Sequence, residues 1–233
     1  MAARFWVAQP VSGAVVSVTT PSEIRLTVSS TTGMTTGDTR TVSGVVGTTE
    51  ANGTWTITVI DATHIDLQGS TFANLYTSGG AIHGRWDANN TNNWVTTSGG
   101  TNYGQTVPGS SDDVTIDGHA SGLNGGTIIV NTNFSIQSFT TGAMIGTLDF
   151  DTNDNSPTFG ASGWANSGTG TRTVSFGSGT FTFNGTNTSG GYSQATSTNL
   201  TATPANATFV FGGNTTNART INAGTSAITF GTI

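Results

Sequence analysis

The densest group of oxygen-bearing side chains in this sequence comprises Asp149, Asp151 and Asn153, which alternate along the chain. Alternating oxygen ligands are typical of the start of a calcium-binding loop. The sixth position of such a loop would be Asp154, where a glycine is expected, and the twelfth would be Gly160, where a bidentate glutamate is expected. The pattern therefore favours a solvent-exposed β-turn, keeps calcium as a candidate, and predicts no other cofactor.

Asp149 and Asp151 also form a pair of neighbouring carboxylates. On a strand they would share one face with alpha carbons about 6.6 Å apart, which is compatible with glycoside hydrolysis. Leu148 and Phe150 alternate with them and are expected to face the core. Both acids are then expected to face water, where nothing raises the pKa of one of them to make a general acid. The pair therefore predicts no enzyme, and a polysaccharide depolymerase is the less favoured alternative.

Other patterns that carry catalysis or metal binding are missing from the sequence. There is no cysteine, which removes disulfides, thiolate nucleophiles and zinc–thiolate sites. None of the three histidines, His64, His83 and His119, lies at metal-ligand spacing from another ligand. No Gly-x-Ser-x-Gly motif is present, and the glycine-rich runs lack the lysine of a phosphate-binding loop. We therefore predict no catalytic residue and no resident metal.

Four aromatic side chains lie in polar, Asn-rich surroundings: Trp86, Trp94, Tyr103 and Trp164. An exposed ring in such a setting can stack on a sugar, so these residues are candidates for glycan binding. Tryptophan is nevertheless usually buried. The sequence therefore favours packing of Trp86 and Trp94 against Trp6 at the end of a β stack.

The composition predicts a protein built from short strands and tight turns, because 33 of the 233 residues are glycine and only 8% are charged. The formal net charge is −6 and the six basic residues, all arginine, are scattered, so nucleic acid is not an expected partner. No apolar run approaches a membrane span, and the N-terminus lacks the apolar stretch of a signal peptide. We expect neither a membrane partner nor export by a cleavable signal.

Apolar residues alternate with polar ones in three segments of the first third of the chain: Ile24–Val28, Trp55–Val59 and His64–Leu67. This period predicts half-buried antiparallel strands. Asn52 and Gly53 precede the second segment and predict a hairpin turn. A small antiparallel β-barrel or sandwich would close these strands into one unit.

The remainder of the chain shows internal similarity. Residues 172–183 align without gaps to residues 219–230, an offset of 219 − 172 = 47 positions, and the alternation in 181–183 returns in 209–211. Such repeats predict a β-solenoid, with an open β-sandwich as the alternative. The final segment, 227–233, has the pattern of a strand without a polar cap. We expect a neighbouring chain to cover it or the natural protein to continue.

The segments Ile24–Val28, Gly47–Trp55 and Asp61–Leu67 resemble a module found in virion proteins of tailed phages. That module is similar to a small all-β domain first named from an insert in ubiquitin-activating enzymes. The chemistry of those enzymes depends on a cysteine, which this chain lacks. The resemblance therefore implies an accessory structural or adhesive module.

A second resemblance to phage-associated proteins covers residues 82–233. It rests on Arg4–Val7, Arg85–Asp87, the Asn93–Trp94 pair and the Pro108–Val114 segment. Because the first of these motifs is separated from the second by the whole β module, we predict that residues 10–81 are inserted into a loop of a body formed by residues 1–9 and 82–233. The N-terminal strand is then expected to pack with residues 84–118.

Together the resemblances imply a non-enzymatic structural protein of the virion, serving in capsid decoration, the tail or a fibre. The implied partners are other virion proteins and further copies of the same chain, with a trimer as one option. A glycan-binding adhesin that recognises the host surface is the alternative.

Overall fold

The structure is a computed structural model that describes residues 1–20, 22–117, 126–142, 144–167, 170–185, 191–194, 200–203 and 206–212. Apart from one 3₁₀ turn at Thr49–Ala51, the regular elements of these residues are β-strands. The predicted all-β fold is therefore confirmed. No helix in this part of the chain has the length and apolar character needed to cross a membrane.

Strand β1 (Ala3–Trp6) belongs to the body, and the next six strands close a barrel. In the order β2-β3-β6-β5-β4-β7, each strand pairs antiparallel with its neighbours. The predicted small antiparallel barrel is therefore confirmed. Its strands are β2 (Gln9–Val16), β3 (Ile24–Val28), β4 (Thr39–Val46), β5 (Gly53–Val59), β6 (His64–Leu67) and β7 (Ser78–His83).

The interior of the barrel is filled with aliphatic side chains. In β3, Ile24, Leu26 and Val28 are buried and alternate with half-buried residues, as the two-residue period predicts. Ile57 and Ile65 from β5 and β6 complete this part of the interior. Closure pairs every barrel strand on both sides, so the barrel presents no open edge.

The connection between β4 and β5 differs from the predicted hairpin turn at Asn52 and Gly53. The chain passes through the 3₁₀ turn first, and Gly53 is already the first residue of β5, paired with Val42. The Asn52 side chain instead accepts a hydrogen bond from Val45 N at 2.9 Å and donates one to Val45 O at 3.0 Å. The Asn52 amide therefore bonds to both backbone groups of Val45, as a neighbouring strand would. The Asn-Gly dipeptide alone does not predict this contact.

The body consists of two stacked sheets of mainly parallel strands. The larger sheet has the order β18-β15-β13-β11-β9-β1-β8, with β16 also paired to β13, and the smaller has the order β10-β12-β14-β17. Parallel pairing of successive strands is the arrangement of a solenoid, whereas sandwiches are built from antiparallel sheets. The strands are β8 (Trp94–Val95), β9 (Asp113–Ile116), β10 (Thr127–Ile129), β11 (Ser135–Thr141), β12 (Gly146–Asp149), β13 (Thr158–Asn166), β14 (Arg172–Ser175), β15 (Thr180–Phe183), β16 (Tyr192–Gln194), β17 (Leu200–Thr203) and β18 (Thr208–Phe211).

Aromatic rings stack along the interior of the body. Phe139, Phe159 and Phe183 form near-parallel pairs with centroids 6.0 and 5.0 Å apart, and Phe211 continues the column at 5.3 Å. Side-chain hydrogen bonds between adjacent layers join residues 23 to 26 positions apart. Each layer therefore repeats its predecessor only approximately. The second copy of the sequence repeat, 219–230, the final segment 227–233 and His119 lie outside the described residues.

The N-terminal strand joins the body at the predicted place. Strand β1 pairs antiparallel with β8 through Trp6 and Trp94, and parallel with β9 through Phe5 and Thr115. The predicted packing of this strand with residues 84–118 is therefore confirmed. Because the chain then enters the barrel at Gln9, the barrel is attached at this end of the stack.

Candidate functional site

The tryptophans of the first layer are completely buried. Trp94 lies edge-on to both Trp6 and Trp86 with ring centroids 5.0 Å apart in each pair, and Phe134 stacks on Trp86 at 4.2 Å. The exposed fraction of each tryptophan is 0%. The predicted packing of Trp86 and Trp94 against Trp6 is therefore confirmed, and neither ring offers a free face to a sugar.

The remaining two aromatic candidates lie in different surroundings. Trp164 is 1% exposed and its Nε1 donates a hydrogen bond to Thr141 Oγ1 at 3.0 Å, so this residue of β13 belongs to the interior of the body. Tyr103 is half-buried and lines a cleft of about 230 Å³ together with Ser29, Gly100 and Thr101. Of the four residues proposed for glycan binding, Tyr103 is the one whose ring borders an open cleft.

The acidic cluster forms a turn between layers. The Asp149 carboxylate accepts hydrogen bonds from Asp151 N at 2.8 Å, Thr152 N at 3.0 Å and Thr152 Oγ1 at 2.6 Å. Asn153 Nδ2 donates a hydrogen bond to Val130 O at 3.3 Å. The predicted β-turn is therefore present, with Asp149 as its cap, and Asp151 lies in the turn rather than beside Asp149 on a strand. Within the described residues, no three His, Cys, Asp or Glu side chains are placed to hold a metal ion.

Two of the three histidines are described, and they differ in environment. His64 Nδ1 lies 2.9 Å from the Asp61 carboxylate at the surface. His83 is buried between the barrel and the body, where burial lowers its pKa to about 4, with the nearby Arg40 guanidinium contributing in the same direction. His83 is therefore neutral at physiological pH and contacts the edge of the Trp6 ring.

A buried polar group also lies inside the body. Arg172 Nε donates to Asn166 Oδ1 at 3.0 Å, and Asn166 Nδ2 donates to Tyr192 Oη at 3.2 Å. Burial raises the pKa of Tyr192 to about 12, so the phenol stays protonated. The three side chains fix neighbouring layers to one another and lie away from the surface.

The most elaborate arrangement of polar side chains lies where the barrel meets the body. Asn93, which is fully buried, donates to Val7 O at 2.7 Å, where the chain enters the barrel. Its Oδ1 accepts from Gly84 N at 2.9 Å, where the chain leaves the barrel, and from Arg40 Nη1 of strand β4 at 3.3 Å. One amide therefore holds both crossing segments and the barrel itself. We call the polar group of Arg40, Asn90 and Asn93 the junction clamp.

Arg40 contributes the barrel side of the junction clamp. It is only 2% exposed, and its guanidinium donates to Asn90 Oδ1 at 3.2 Å and to Asp38 Oδ2 at 2.7 Å. A Cβ atom at Gly84 would lie 2.5 Å from Arg40 Nη1 and 2.7 Å from Asn90 Nδ2, so only glycine leaves room for this contact. The clamp therefore depends on close approach of the backbone.

A second contact fixes the loop between β3 and β4 to the body. Asn92 Nδ2 donates to Thr32 O at 2.6 Å, and Gly33, with a φ of +81°, packs directly against Thr91 and the backbone of Asn92. Any side chain at Gly33 would overlap with these atoms. The barrel is therefore docked through two sets of contacts, with no extended linker between it and the body.

A polar cleft of about 290 Å³ opens beside the junction clamp. Its barrel wall is formed by residues 37–40, and its body wall by Gly84, Arg85, Asp87, Asn89, Asn90 and Asn131. Arg85 is half-buried in it, and no hydrogen bond or ion pair of its side chain occurs in the described part of the chain. Asp87 faces the same cleft and accepts hydrogen bonds from Asn89 N at 2.9 Å and Asn90 N at 2.7 Å through one oxygen only. We call this the junction cleft.

Polar atoms that lack a hydrogen-bond partner are concentrated at the same place. In the described residues, every buried side-chain nitrogen or oxygen without a partner belongs to a residue at or next to the junction. Buried polar atoms without a hydrogen-bond partner are rare in folded proteins because each one costs free energy. The described residues of this protein that have such an atom are Trp6, Gln9, Arg40, His83, Trp86, Asn92 and Trp94.

The sequence interpretation did not single out Arg40 or Asn90, and it named Asn93 only as part of a resemblance motif, without a role at the junction. The available signal was the run of asparagines at 89–93 between two tryptophans, since amides can donate and accept at once and suit a buried junction. Comparison of the chain with protein-family models, with curated proteins and with solved structures gives no match. The geometry and the sequence patterns therefore carry the functional interpretation.

Proposed function

We propose that the protein is a non-enzymatic structural component of a tailed-phage particle, in which a stacked β body carries a small β-barrel as a displayed module. The observation that carries this proposal is the fixed docking of the barrel through the junction clamp. A display module held by buried contacts keeps one orientation, so that many weak contacts on a particle add up to avidity. The resemblance of the segments Ile24–Val28 and Asp61–Leu67 to phage virion modules supports the same proposal.

The far end of the barrel gives further support. Strands β4 and β7 pair from Thr41 and His83, next to the body, to Val46 and Ser78 at the opposite end. Five aliphatic side chains in the segments that reach this end are exposed, and exposed apolar surface is a common feature of protein contact sites. A displayed module is expected to bear its contact surface at the end away from its attachment. These side chains are Val15, Val16, Val18, Val46 and Leu75.

The test is to locate the chain on purified phage particles. We expect mass spectrometry to detect it in gradient-purified particles, and electron microscopy with an antibody against the barrel to label the capsid, tail or fibre. A chain absent from every particle fraction, while present in the infected-cell lysate, would defeat the proposal.

A host-glycan adhesin is the second candidate, and Tyr103 is the observation that favours it. Its ring borders the cleft of about 230 Å³, where a sugar could stack on it and bond to the Ser29 and Thr101 hydroxyls. On a glycan array, we expect binding that is lost in Tyr103→Ala and kept in Trp164→Phe, which changes a buried ring. Binding that survives Tyr103→Ala would exclude this cleft.

A further inference from the structure

The junction cleft has a composition that none of the packing roles above explains. Arg85 is a half-buried cation, Asp87 keeps one carboxylate oxygen outside its turn contacts, and Asp38 uses one oxygen for both Arg40 Nη2 at 2.7 Å and Thr35 N at 2.8 Å. Asn89 and Asn131 add amides that both donate and accept. The cleft therefore offers donors and acceptors side by side.

These groups discriminate between classes of ligand. A phosphate or carboxylate ion could use the Arg85 guanidinium but would face the Asp38 and Asp87 carboxylates. A polyamine could pair with the two carboxylates but would be repelled by the guanidinium groups of Arg85 and Arg40. The charges of the two arginines and two aspartates cancel, so the cleft as a whole favours neither sign.

A sugar ring that carries several hydroxyl groups can bond both to the carboxylates and to the guanidinium and amide groups of the cleft. Each hydroxyl donates one hydrogen bond and can accept two, so neighbouring hydroxyls can donate to carboxylates and accept from a guanidinium or amide. The volume of about 290 Å³ lies at the lower end of small-molecule sites, which fits one or two sugar units. We propose that the junction cleft binds a neutral, hydroxyl-rich sugar unit through Arg85, Asp87, Asp38 and Asn131.

The two walls of the cleft come from different parts of the fold. Residues 37–40 belong to the barrel side, whereas Arg85, Asp87 and Asn131 belong to the body. The complete site therefore exists only while the barrel is docked. A ligand that binds both walls stabilises the docked state by mass action, so a bound sugar raises the melting temperature of the whole chain.

The proposal rests on the second candidate function, glycan binding, but assigns it to a different cleft from that of Tyr103. The test uses the full chain and saturation-transfer NMR with the methyl glycosides of glucose, galactose, mannose and N-acetylglucosamine. Sodium phosphate, glucuronate and putrescine are the charged comparison ligands. We expect at least one neutral glycoside to bind and to raise the melting temperature.

Four variants assign the site. Arg85→Gln removes the cation and Asn89→Trp fills the cleft from an exposed position, and each is expected to weaken binding about tenfold or more, as loss of a hydrogen bond to a charged group would. Arg4→Gln, an arginine outside the cleft that bonds to Thr106 Oγ1 at 2.9 Å, is expected to leave binding unchanged. Tyr103→Ala separates binding in the junction cleft from binding in the cleft that Tyr103 lines. Melting temperatures of the unliganded variants confirm that all of them fold.

Three outcomes would overturn the proposal. Absence of binding by every neutral glycoside, together with a negative glycan array, would remove both glycan clefts. Binding that is lost in Tyr103→Ala but kept in Arg85→Gln and Asn89→Trp would move the site to the other cleft and leave the second candidate function standing. Tighter binding of phosphate, glucuronate or putrescine than of every neutral glycoside would replace the ligand class.

Discussion

The barrel closes six antiparallel strands around aliphatic side chains, whereas the body stacks parallel strands around a column of aromatic rings. In the barrel, the strands that pair are often consecutive in sequence, as β2 and β3 are. In the body, bonded layers are 23 to 26 residues apart, and each layer supports the next. The barrel is thus a unit that closes on itself, while a layer of the body is stable only through its neighbours. The junction clamp joins the self-contained barrel to the first of these mutually dependent layers.

The largest effect is expected from Asn93→Leu, which keeps the branching of the side chain but removes its hydrogen bonds. The substitution leaves Val7 O and Gly84 N without the partners they have at 2.7 and 2.9 Å, whereas Arg40 Nη1 keeps its bond to Asn90 Oδ1 at 3.2 Å. We expect a loss of about 5 kcal/mol in the free energy of unfolding, because each of the two stranded buried groups costs about 1–3 kcal/mol and the bulkier leucine overpacks the junction. Urea denaturation followed by tryptophan fluorescence measures it.

Asn102→Leu is the matched control for that variant, since the Asn102 amide donates to Thr96 Oγ1 at 2.7 Å in an exposed loop. We expect it to change stability by less than about 1 kcal/mol. Equal effects of the two substitutions would show that Asn93 does not connect barrel and body.

Phe159→Ala tests whether the body depends on contacts between layers. Phe159 stacks between Phe139 at 6.0 Å and Phe183 at 5.0 Å, so the cavity would open to two layers at once. We expect a loss of about 4 kcal/mol in the free energy of unfolding. In hydrogen exchange, amides of β11, β13 and β15 should lose protection while those of β3 and β6 keep it. Uniform loss across the barrel and the body would contradict their independence.

His83 makes the junction sensitive to pH. Its pKa is about 4 in the folded protein and about 6.5 when exposed, so the unfolded chain binds more protons between these values. Stability is therefore complete above pH 6.5 and is lost as the pH falls toward 4, by about 2 kcal/mol between pH 7 and pH 5. Urea denaturation at the two pH values should show this loss in the wild type and a smaller one in His83→Gln. Identical losses would mean that protonation of His83 is not penalised by folding.

The smallest effect is expected from Asn92→Ala, which removes the hydrogen bond of 2.6 Å to Thr32 O in the loop between β3 and β4 and a longer one of 3.4 Å to Ser30 O. A neutral hydrogen bond contributes about 1 kcal/mol and the longer bond less, so the barrel should stay docked. Urea denaturation gives the stability change, and exchange rates of the amides in residues 30–34 report the local loosening. A loss as large as that of Asn93→Leu would place the main attachment in this loop.

The sequence predicted those strands in which apolar and polar residues alternate along the chain. Strands β3 and β6 begin and end at the residues expected from their two-residue period. The prediction of a hairpin turn at Asn52 and Gly53 was wrong, because the Asn52 amide bonds to the Val45 backbone across the strand pair. In the body, the spacing between layers varies from 23 to 26 residues, so the sequence shows no short strict period.

The candidate site was less predictable than the fold. Burial of Trp86 and Trp94 follows from the nature of their side chains and from the presence of Trp6 nearby. The junction clamp does not follow in the same way, because Asn93 meets Val7 from 86 positions away and Arg40 from 53. Only the folded chain brings these groups together, and polar residues in an Asn-rich segment give no local sign of which ones are buried.

The paired positions at which the chain enters and leaves the barrel have a wider consequence. Gln9 lies opposite Ile82 in neighbouring strands, so for the body the whole barrel occupies the place of a short turn. The length and fold of the segment inserted at such a position can change while the register of the body's layers stays the same. A module in place of the barrel would need to fit the crossing segments around Val7 and Gly84 and to supply a counterpart of Arg40 for the junction clamp.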